Sequence, residues 1–215
     1  MKRIIILVLS AALLAAGAAE SVAQSRYGVI GGMTFSNSKE FSRSTMTQFH
    51  AGLTYKLDLP LGFSVQPSLV YNVKGAKMQG VLSGNGSERF DISMGYLELP
   101  VSLQWGPDLL IFRPFLDVTP YIGYALNNKL VAAGNVTAKN SWDALQRFEY
   151  GMGLGIGLDI WRFQVIGRYN WNFGSLYAPG QTVDGTFPEL VRGAFDKSSF
   201  GGITLSIAFL FGGGR

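Results

Sequence analysis

The chain has 215 residues, a formal net charge of +4 and no cysteine. The lack of cysteine excludes disulfides, thiolate metal sites and cysteine nucleophiles. The small basic excess is scattered rather than gathered in runs, so we expect no nucleic-acid partner.

The first 23 residues have the three parts of a secretory signal peptide. Lys2 and Arg3 give a basic start, and residues 4–19 are almost wholly apolar. Small residues then lead up to Ala23, after which we predict cleavage. The apolar run is short for a permanent transmembrane helix. The sequence therefore predicts an exported protein whose mature domain covers residues 24–215.

Strict alternation of apolar and polar residues dominates this mature domain. In residues 47–58, Phe49, Leu53 and Tyr55 share one face of an extended chain, and His50 lies on the other. A β-strand sends successive side chains to opposite faces, so such a segment has one apolar and one polar side. The apolar side meets either a second sheet in a soluble protein or the lipid around a membrane barrel.

About eight such segments follow one another, the even number that a closed bacterial barrel requires. They cover residues 26–36, 47–58, 62–74, 92–105, 114–127, 147–160, 162–174 and 199–211. Shorter links alternate with long polar connections over residues 37–46, 75–91, 128–146 and 175–198. Short turns at one rim and long external loops at the other predict an all-β, eight-stranded antiparallel up-and-down transmembrane β-barrel.

Aromatic residues fall at both ends of the predicted strands. Running the strands up and down places one set near the short-turn rim: Phe63, Trp105, Trp161, Phe163, Phe209 and Phe211. It places a second set near the long-loop rim: Phe35, Phe49, Tyr71, Tyr124, Phe148 and Trp171. Two such sets match the aromatic belts that membrane proteins place at the lipid headgroups.

Charged residues alternate with the apolar ones and therefore face the predicted lumen: Lys74, Glu98, Asp117, Glu149, Asp159 and Arg168. An eight-stranded barrel is just wide enough for side chains to fill it, and charges buried there must pair. We predict a structural polar plug, with Arg168 bridging some of the carboxylates. A proton or ion path is the functional alternative.

Two features inside the strands need a local explanation. Glycines at 151, 153, 155 and 157 have a period of two and no following helix, so they do not form a nucleotide-binding loop. We expect them to leave room for bulky neighbours such as Tyr121 and Arg168. Pro67 and Pro100 predict bulges or local breaks, because proline cannot donate to the ladder. No cofactor site is predicted.

His50 is the only histidine, so no histidine-based zinc site is expected. A Ser–His pair near the external end of strand two would permit lipid modification, with Ser36 or Ser44 as nucleophile and Glu40 orienting the ring. No nucleophile motif accompanies it. We expect a structural histidine and no enzymatic activity.

Several motifs resemble those of the PorT-like outer-membrane β-barrel family. They are Gly95-Tyr96-Leu97-Glu98-Leu99-Pro100-Val101, Pro120-Tyr121-Ile122-Gly123-Tyr124, the glycine run from Gly151 to Gly157, and Arg168-Tyr169-Asn170. They occur in that family's order along the mature chain. The resemblance implies an eight-stranded barrel of the OmpA/OmpX type in a Gram-negative outer membrane and little about activity.

The expected role is structural or interactive, through external loops or partners in the envelope. The expected partners are outer-membrane lipid, the barrel assembly machinery and an envelope or secretion partner. Two alternatives stay open at this point: a His50-dependent lipid-modifying enzyme, and a soluble periplasmic lipocalin-like binder of an apolar ligand.

Overall fold

The computed structural model of the protein describes residues 24–38, 46–82, 86–109, 111–132, 135–139, 146–174 and 200–212. The predicted signal peptide, residues 1–23, and the predicted loop at 175–198 lie outside these ranges.

The described residues form an antiparallel β-barrel. Its strands are β1 (Gln24–Ser38), β2 (Met46–Asp58), β3 (Phe63–Leu82), β4 (Gly86–Trp105), β5 (Phe112–Ala132), β6 (Asn135–Lys139), β7 (Phe148–Ile160), β8 (Phe163–Asn172) and β9 (Phe200–Phe211). Strands β1 to β5 each pair with the next in the chain, β5 also pairs with β7, β7 pairs with β8, β8 with β9, and β9 with β1. Eight strands thus close a ring, and β6 lies outside it as a partner of β5 alone. The predicted eight-stranded up-and-down barrel is confirmed.

Alternation sets which side chains face the lumen. Along β7, Glu149 is buried while its neighbours Phe148 and Tyr150 are exposed, and most of the strand keeps this period. Most of the large apolar residues lie on the outside of the ring, and buried polar and charged residues outnumber buried apolar ones among the described residues. The barrel is therefore polar inside and apolar outside, the reverse of a soluble barrel.

Two hairpins extend further than the sequence predicts. Pairing of β3 with β4 runs to Leu82 and Gly86, although pairing of β2 with β3 stops at His50 and Asn72. On the same side β5 continues to Ala132 and pairs with β6. The predicted loops at 75–91 and 128–146 are thus partly strand. Gly75 and Gly80 in β3 and the adjacent Glu88 and Arg89 in β4 interrupt the apolar–polar alternation there, although the backbone still pairs.

The prolines coincide with gaps in the ladder. Register pairs are missing between β2 and β3 beside Pro67, between β3 and β4 at Pro100, and between β4 and β5 at Pro120. Each proline lacks the backbone N–H that the ladder would use. The predicted local breaks are present.

Short links join the strands at one rim. Residues 60–62 form a single 3₁₀ turn, residues 106–111 join β4 to β5, and residues 161–162 join β7 to β8. Among the described residues, no helix is long and apolar enough to cross a membrane.

Closure depends on β9, which pairs with both β1 and β8. Deleting residues 200–215 leaves two open strand edges, so we expect loss of the faster gel migration that a closed barrel shows before boiling. Deleting only residues 213–215 removes no described strand pairing and should keep that migration. A closed, heat-modifiable barrel from the longer deletion would contradict the ring.

Candidate functional site

The strands bring charged side chains into three layers of the lumen. The layer nearest the short-turn rim is the lower cluster: Arg26, Lys56, Asp58, Arg113 and Asp159. Arg26 Nη2 lies 2.6 Å from Asp58 Oδ2, and Arg113 Nη1 lies 3.3 Å from Asp159 Oδ2. Lys56 Nζ, which is fully buried, also pairs with Asp159. Two strands on opposite walls of the ring are thereby tied together.

The middle layer is an ion pair between Arg168 and Asp117. Arg168 Nε donates to Asp117 Oδ2 at 2.7 Å, and Arg168 Nη2 donates to Ser102 Oγ at 3.0 Å. Thr119 Oγ1 also donates to Asp117 Oδ2, at 2.8 Å. Asp117 is fully buried, so this network supplies the compensation that its charge needs.

The upper cluster lies toward the long-loop rim and consists of one cation between two carboxylates. Lys74 Nζ is 2.8 Å from both Glu98 Oε1 and Glu149 Oε1. Asn72 Nδ2 donates to Glu98 at 2.9 Å, and Asn172 Nδ2 donates to Glu149 at 2.7 Å. Every charge in the cluster therefore has a partner of opposite sign or a hydrogen bond.

Aromatic rings complete the surroundings of Lys74. Its ammonium lies 4.7 Å from the ring centre of Tyr121 and 5.3 Å from that of Tyr96. Both rings are buried. Ring faces add to the attraction that the carboxylates exert on a desolvated cation.

The six lumen residues predicted from the sequence all lie inside the ring, five of them buried and Arg168 with a side chain 10 % exposed. The pairing differs in one respect. Arg168 contacts Asp117, whereas Lys74 is the cation that pairs with Glu98 and Glu149.

Most residues of the lower cluster are not among the lumen charges predicted from the sequence. Lys56 and Asp58 fall on a polar strand face but are not among the predicted lumen charges, and Arg113 falls in a predicted turn. Strand β5 begins at Phe112, two residues before its predicted start, so Arg113 points inward. The alternation of Arg113 with Phe112 and Pro114 is a signal that could have found it.

The β7 glycines make room for these side chains. A Cβ at Gly153 would lie 2.3 Å from Arg168 Cδ, and one at Gly151 would lie 2.5 Å from the Tyr121 ring. A Cβ at Gly157 would lie 2.2 Å from Phe115 Cζ. Bulky residues of the neighbouring strands β5 and β8 thus occupy the space that the absent side chains leave.

A small cavity remains between the middle layer and the upper cluster. Its volume is about 40 Å³, and its walls include His50, Asn72, Lys74, Glu98, Arg168 and Ser206. One water needs roughly 10–15 Å³ on this measure, so the cavity holds only a few waters. It excludes an acyl chain, and its polar walls do not suit an apolar ligand.

His50 lies in the wall of this cavity, within a chain of hydrogen bonds. Its Nε2 is 2.9 Å from Ser206 Oγ and its Nδ1 is 3.0 Å from Thr34 Oγ1. Thr34 Oγ1 donates to Asn72 Oδ1 at 2.8 Å. His50 thus has a serine partner, but Ser206 is not one of those predicted. Ser36 instead bonds the backbone of Gly75, and residues 40 and 44 lie outside the described ranges.

The predicted aromatic belt residues lie on the outer face or at the turns. Near the short-turn rim, Phe63 packs on Trp105 at 6.4 Å between ring centres and Phe163 packs on Phe209 at 5.0 Å. Exposed residues of the two belts include Phe63, Trp105, Trp161, Phe163, Phe211, Phe49, Tyr124 and Phe148, whereas Phe35, Tyr71, Trp171 and Phe209 are half-buried.

A family comparison agrees with this architecture. Residues 20–178 match the family model described as the outer membrane protein beta-barrel domain, and the chain belongs to that family. It is a small outer-membrane β-barrel protein. A search of curated proteins gave no match.

Three solved structures are similar to this chain. Ail, the attachment invasion locus protein of Yersinia pestis, in complex with the heparin analogue sucrose octasulfate, is 11% identical over 87% of this chain and 99% of its own, with a TM-score of 0.44. Neisserial surface protein A is 10% identical over 89% and 100%, with a TM-score of 0.45. A major outer membrane protein from Thermus thermophilus is 13% identical over 87% and 99%, with a TM-score of 0.46.

The middle layer gives a direct stability test. Arg168→Ala leaves the carboxylate of Asp117 buried and uncompensated, so we expect a loss of about 3–5 kcal/mol in the free energy of unfolding in detergent micelles. Adding Asp117→Asn should recover part of that loss. Lys129→Ala, at an exposed position, is the control. An unfolding midpoint that Arg168→Ala leaves unchanged would remove this pair from the network.

The glycine packing gives a second test. Gly157→Ala forces a methyl group against Phe115, and we expect a destabilisation of about 1–3 kcal/mol measured by urea unfolding. Phe115→Leu in the same chain should restore part of the stability. Gly167→Ala is the matched control, because its Cβ would meet only Leu205 Cδ2 at 3.5 Å. Equal stability of the two alanine variants would refute the steric account.

Proposed function

We propose that this protein is a non-conducting scaffold of the Gram-negative outer membrane, exported with a cleaved signal peptide and related to the PorT-like barrels. Its barrel holds external segments in place for an envelope or secretion partner. Two observations together carry the proposal. Paired charges close the lumen, whereas two hairpins extend past the ring on the long-loop side.

The lumen favours a plug over a pore. Three layers of ion pairs cross it, and the cavity between two of them holds only a few waters. An ion would have to break a buried pair to pass the middle layer, which leaves an uncompensated charge behind. We infer that transport is not the role of this barrel.

A catalytic role receives little support. The Ser206–His50 hydrogen bond has the atoms of a nucleophile and its base, but both side chains are buried inside the ring. Lipid meets the opposite face of the same strands. We infer that His50 is structural and that the protein is not an enzyme.

The external segments support an interaction role. The β3–β4 hairpin and the β5–β6 hairpin both rise from the long-loop rim, where binding functions concentrate when a rigid scaffold holds them. Rigid placement reduces the ordering entropy that a partner must overcome. The barrel would thus hold the external segments in a fixed position, and the residues of those segments would contact the partner.

Chemical crosslinking in intact outer membranes, followed by affinity capture, tests the proposal. The wild type should capture a reproducible partner, and a variant with residues 133–145 replaced by a short glycine–serine link should lose it. Arg168→Lys, which keeps the lumen cation, is the folded control and should retain the partner. If a variant with both residues 133–145 and residues 176–198 shortened still captures the partner, the external segments do not have an interaction role. The absence of any specific partner of the wild type would also contradict the proposal.

A further inference from the structure

The three short links carry large apolar residues at their tips. Leu61 is 88 % exposed, Ile111 is 77 % exposed and Trp161 is 64 % exposed, and Leu109 is exposed beside Ile111. Turn tips that stand in water usually carry Gly, Asn, Asp or Ser. These four residues, the apolar tips, therefore need a covering other than water.

Two of the tips hold a backbone conformation that bulky residues avoid. Leu61 has a φ of 63° and Trp161 a φ of 55°. The left-handed region is unfavourable for an L-residue with a Cβ, and glycine or asparagine would relieve most of that strain. An unfavourable side chain at a strained position indicates that the side chain makes a compensating contact.

The apolar tips are continuous with the lipid-facing wall. Phe63 lies two residues after Leu61, Phe112 directly follows Ile111, and Ile160 directly precedes Trp161; all three are exposed on the outer face. The surface that already meets lipid thus extends onto the turns.

The outward aliphatic residues of β7 form a band whose length places the edge of the bilayer's hydrocarbon core at the short turns. Along β7 the outward residues are aliphatic from Met152 to Ile160, and Tyr150 is the first aromatic residue above them. The ten residue steps from Tyr150 to Ile160, at ~3.3 Å each and with a strand tilt of about 40°, cover roughly 25 Å along the membrane normal. The apolar band of an outer-membrane barrel has the same height. A band that starts at Tyr150 therefore ends beside Trp161.

A cation lies at the same depth. The guanidinium of Arg162 stacks over the ring of Trp161, 5.1 Å from its centre. An amphipathic ring with a basic group beside it fits the glycerol and phosphate region of a bilayer, where the ring is half-desolvated and the cation meets phosphate oxygens.

We propose that the short-turn rim is inserted into the adjacent phospholipid leaflet rather than standing in the periplasm. Leu61, Ile111 and Trp161 lie among the glycerol backbones and the first acyl carbons, and Arg162 contacts lipid phosphate. The rim is a set of lipid anchors that fixes the depth of the barrel. This inference goes beyond the interaction role of the external segments and does not depend on it.

The cysteine-free sequence allows a clean measurement with spin labels. Leu61→Cys and Ile111→Cys are each labelled with a nitroxide and reconstituted in phosphatidylethanolamine–phosphatidylglycerol vesicles. Leu154→Cys, in the middle of the β7 band, is the deep reference, and Lys129→Cys, at an exposed position of β5 toward the long-loop rim, is the water-exposed reference. Relative accessibility to oxygen and to a water-soluble nickel chelate reports the depth of each label.

We expect the labels at 61 and 111 to be at least several-fold less accessible to the nickel chelate than the label at 129, at a depth shallower than 154. Labels at 61 and 111 as accessible to nickel as the label at 129 would overturn the proposal. Protection that appears only in native outer membranes, and not in these vesicles, would also overturn it and would indicate a protein partner instead.

An independent readout uses Trp161 itself, in a chain with Trp105, Trp142 and Trp171 replaced by Phe. We expect blue-shifted emission in the same vesicles and quenching by lipids brominated high on the acyl chain. Emission at the wavelength of water-exposed tryptophan, quenched by iodide, would contradict insertion. Heat-modifiable migration on a gel confirms that each variant is a closed barrel before it is measured.

Discussion

The structure depends on one constraint: each strand must place one face in lipid and the other face in a packed polar interior. The outer side chains meet hydrocarbon, and the inner side chains meet one another in a space from which bulk water is almost excluded. Buried charge is tolerable there only in pairs, because an unpaired ion in a low-dielectric interior costs several kcal/mol. The ion pairs of the lumen and the apolar outer face are thus two consequences of a single alternation. Ring closure makes both possible, since it removes the open edges that lipid cannot solvate.

The lumen pairs also explain why residues far apart in sequence depend on each other. Lys74 and Glu149 are 75 positions apart, and Lys56 and Asp159 are 103 positions apart. Each pair joins walls of the ring that are not neighbours in the sheet. The pairs therefore brace the barrel across its interior, while the strand ladder supports it only around its circumference.

The sequence predicts the barrel well because alternation is a local signal. Lys74 and Glu98 alternate with apolar residues in their own strands, so their inward orientation follows from the strand period alone. Their partners do not follow from it. That Lys74 rather than Arg168 pairs with Glu98, and that His50 meets Ser206 at a separation of 156 residues, depends on register and closure of the whole ring.

Other features escape prediction because the local signal is short or interrupted. Strand β6 alternates strictly but has only five residues, and glycines in β3 and adjacent charged residues in β4 interrupt the pattern at the upper ends of those strands. Arg113 escapes for a different reason, because the predicted strand starts two residues late.

The central claim concerns the medium at the outer face of the strands. Photolabelling with a carbene-generating phospholipid in vesicles, with modified residues located by mass spectrometry, measures it directly. The account predicts labelling at outward residues such as Leu154, Ile156 and Ile207 and none at Arg168, Asp117 or Glu98. Labelling of the charged residues, or protection of the three aliphatic ones, would contradict it.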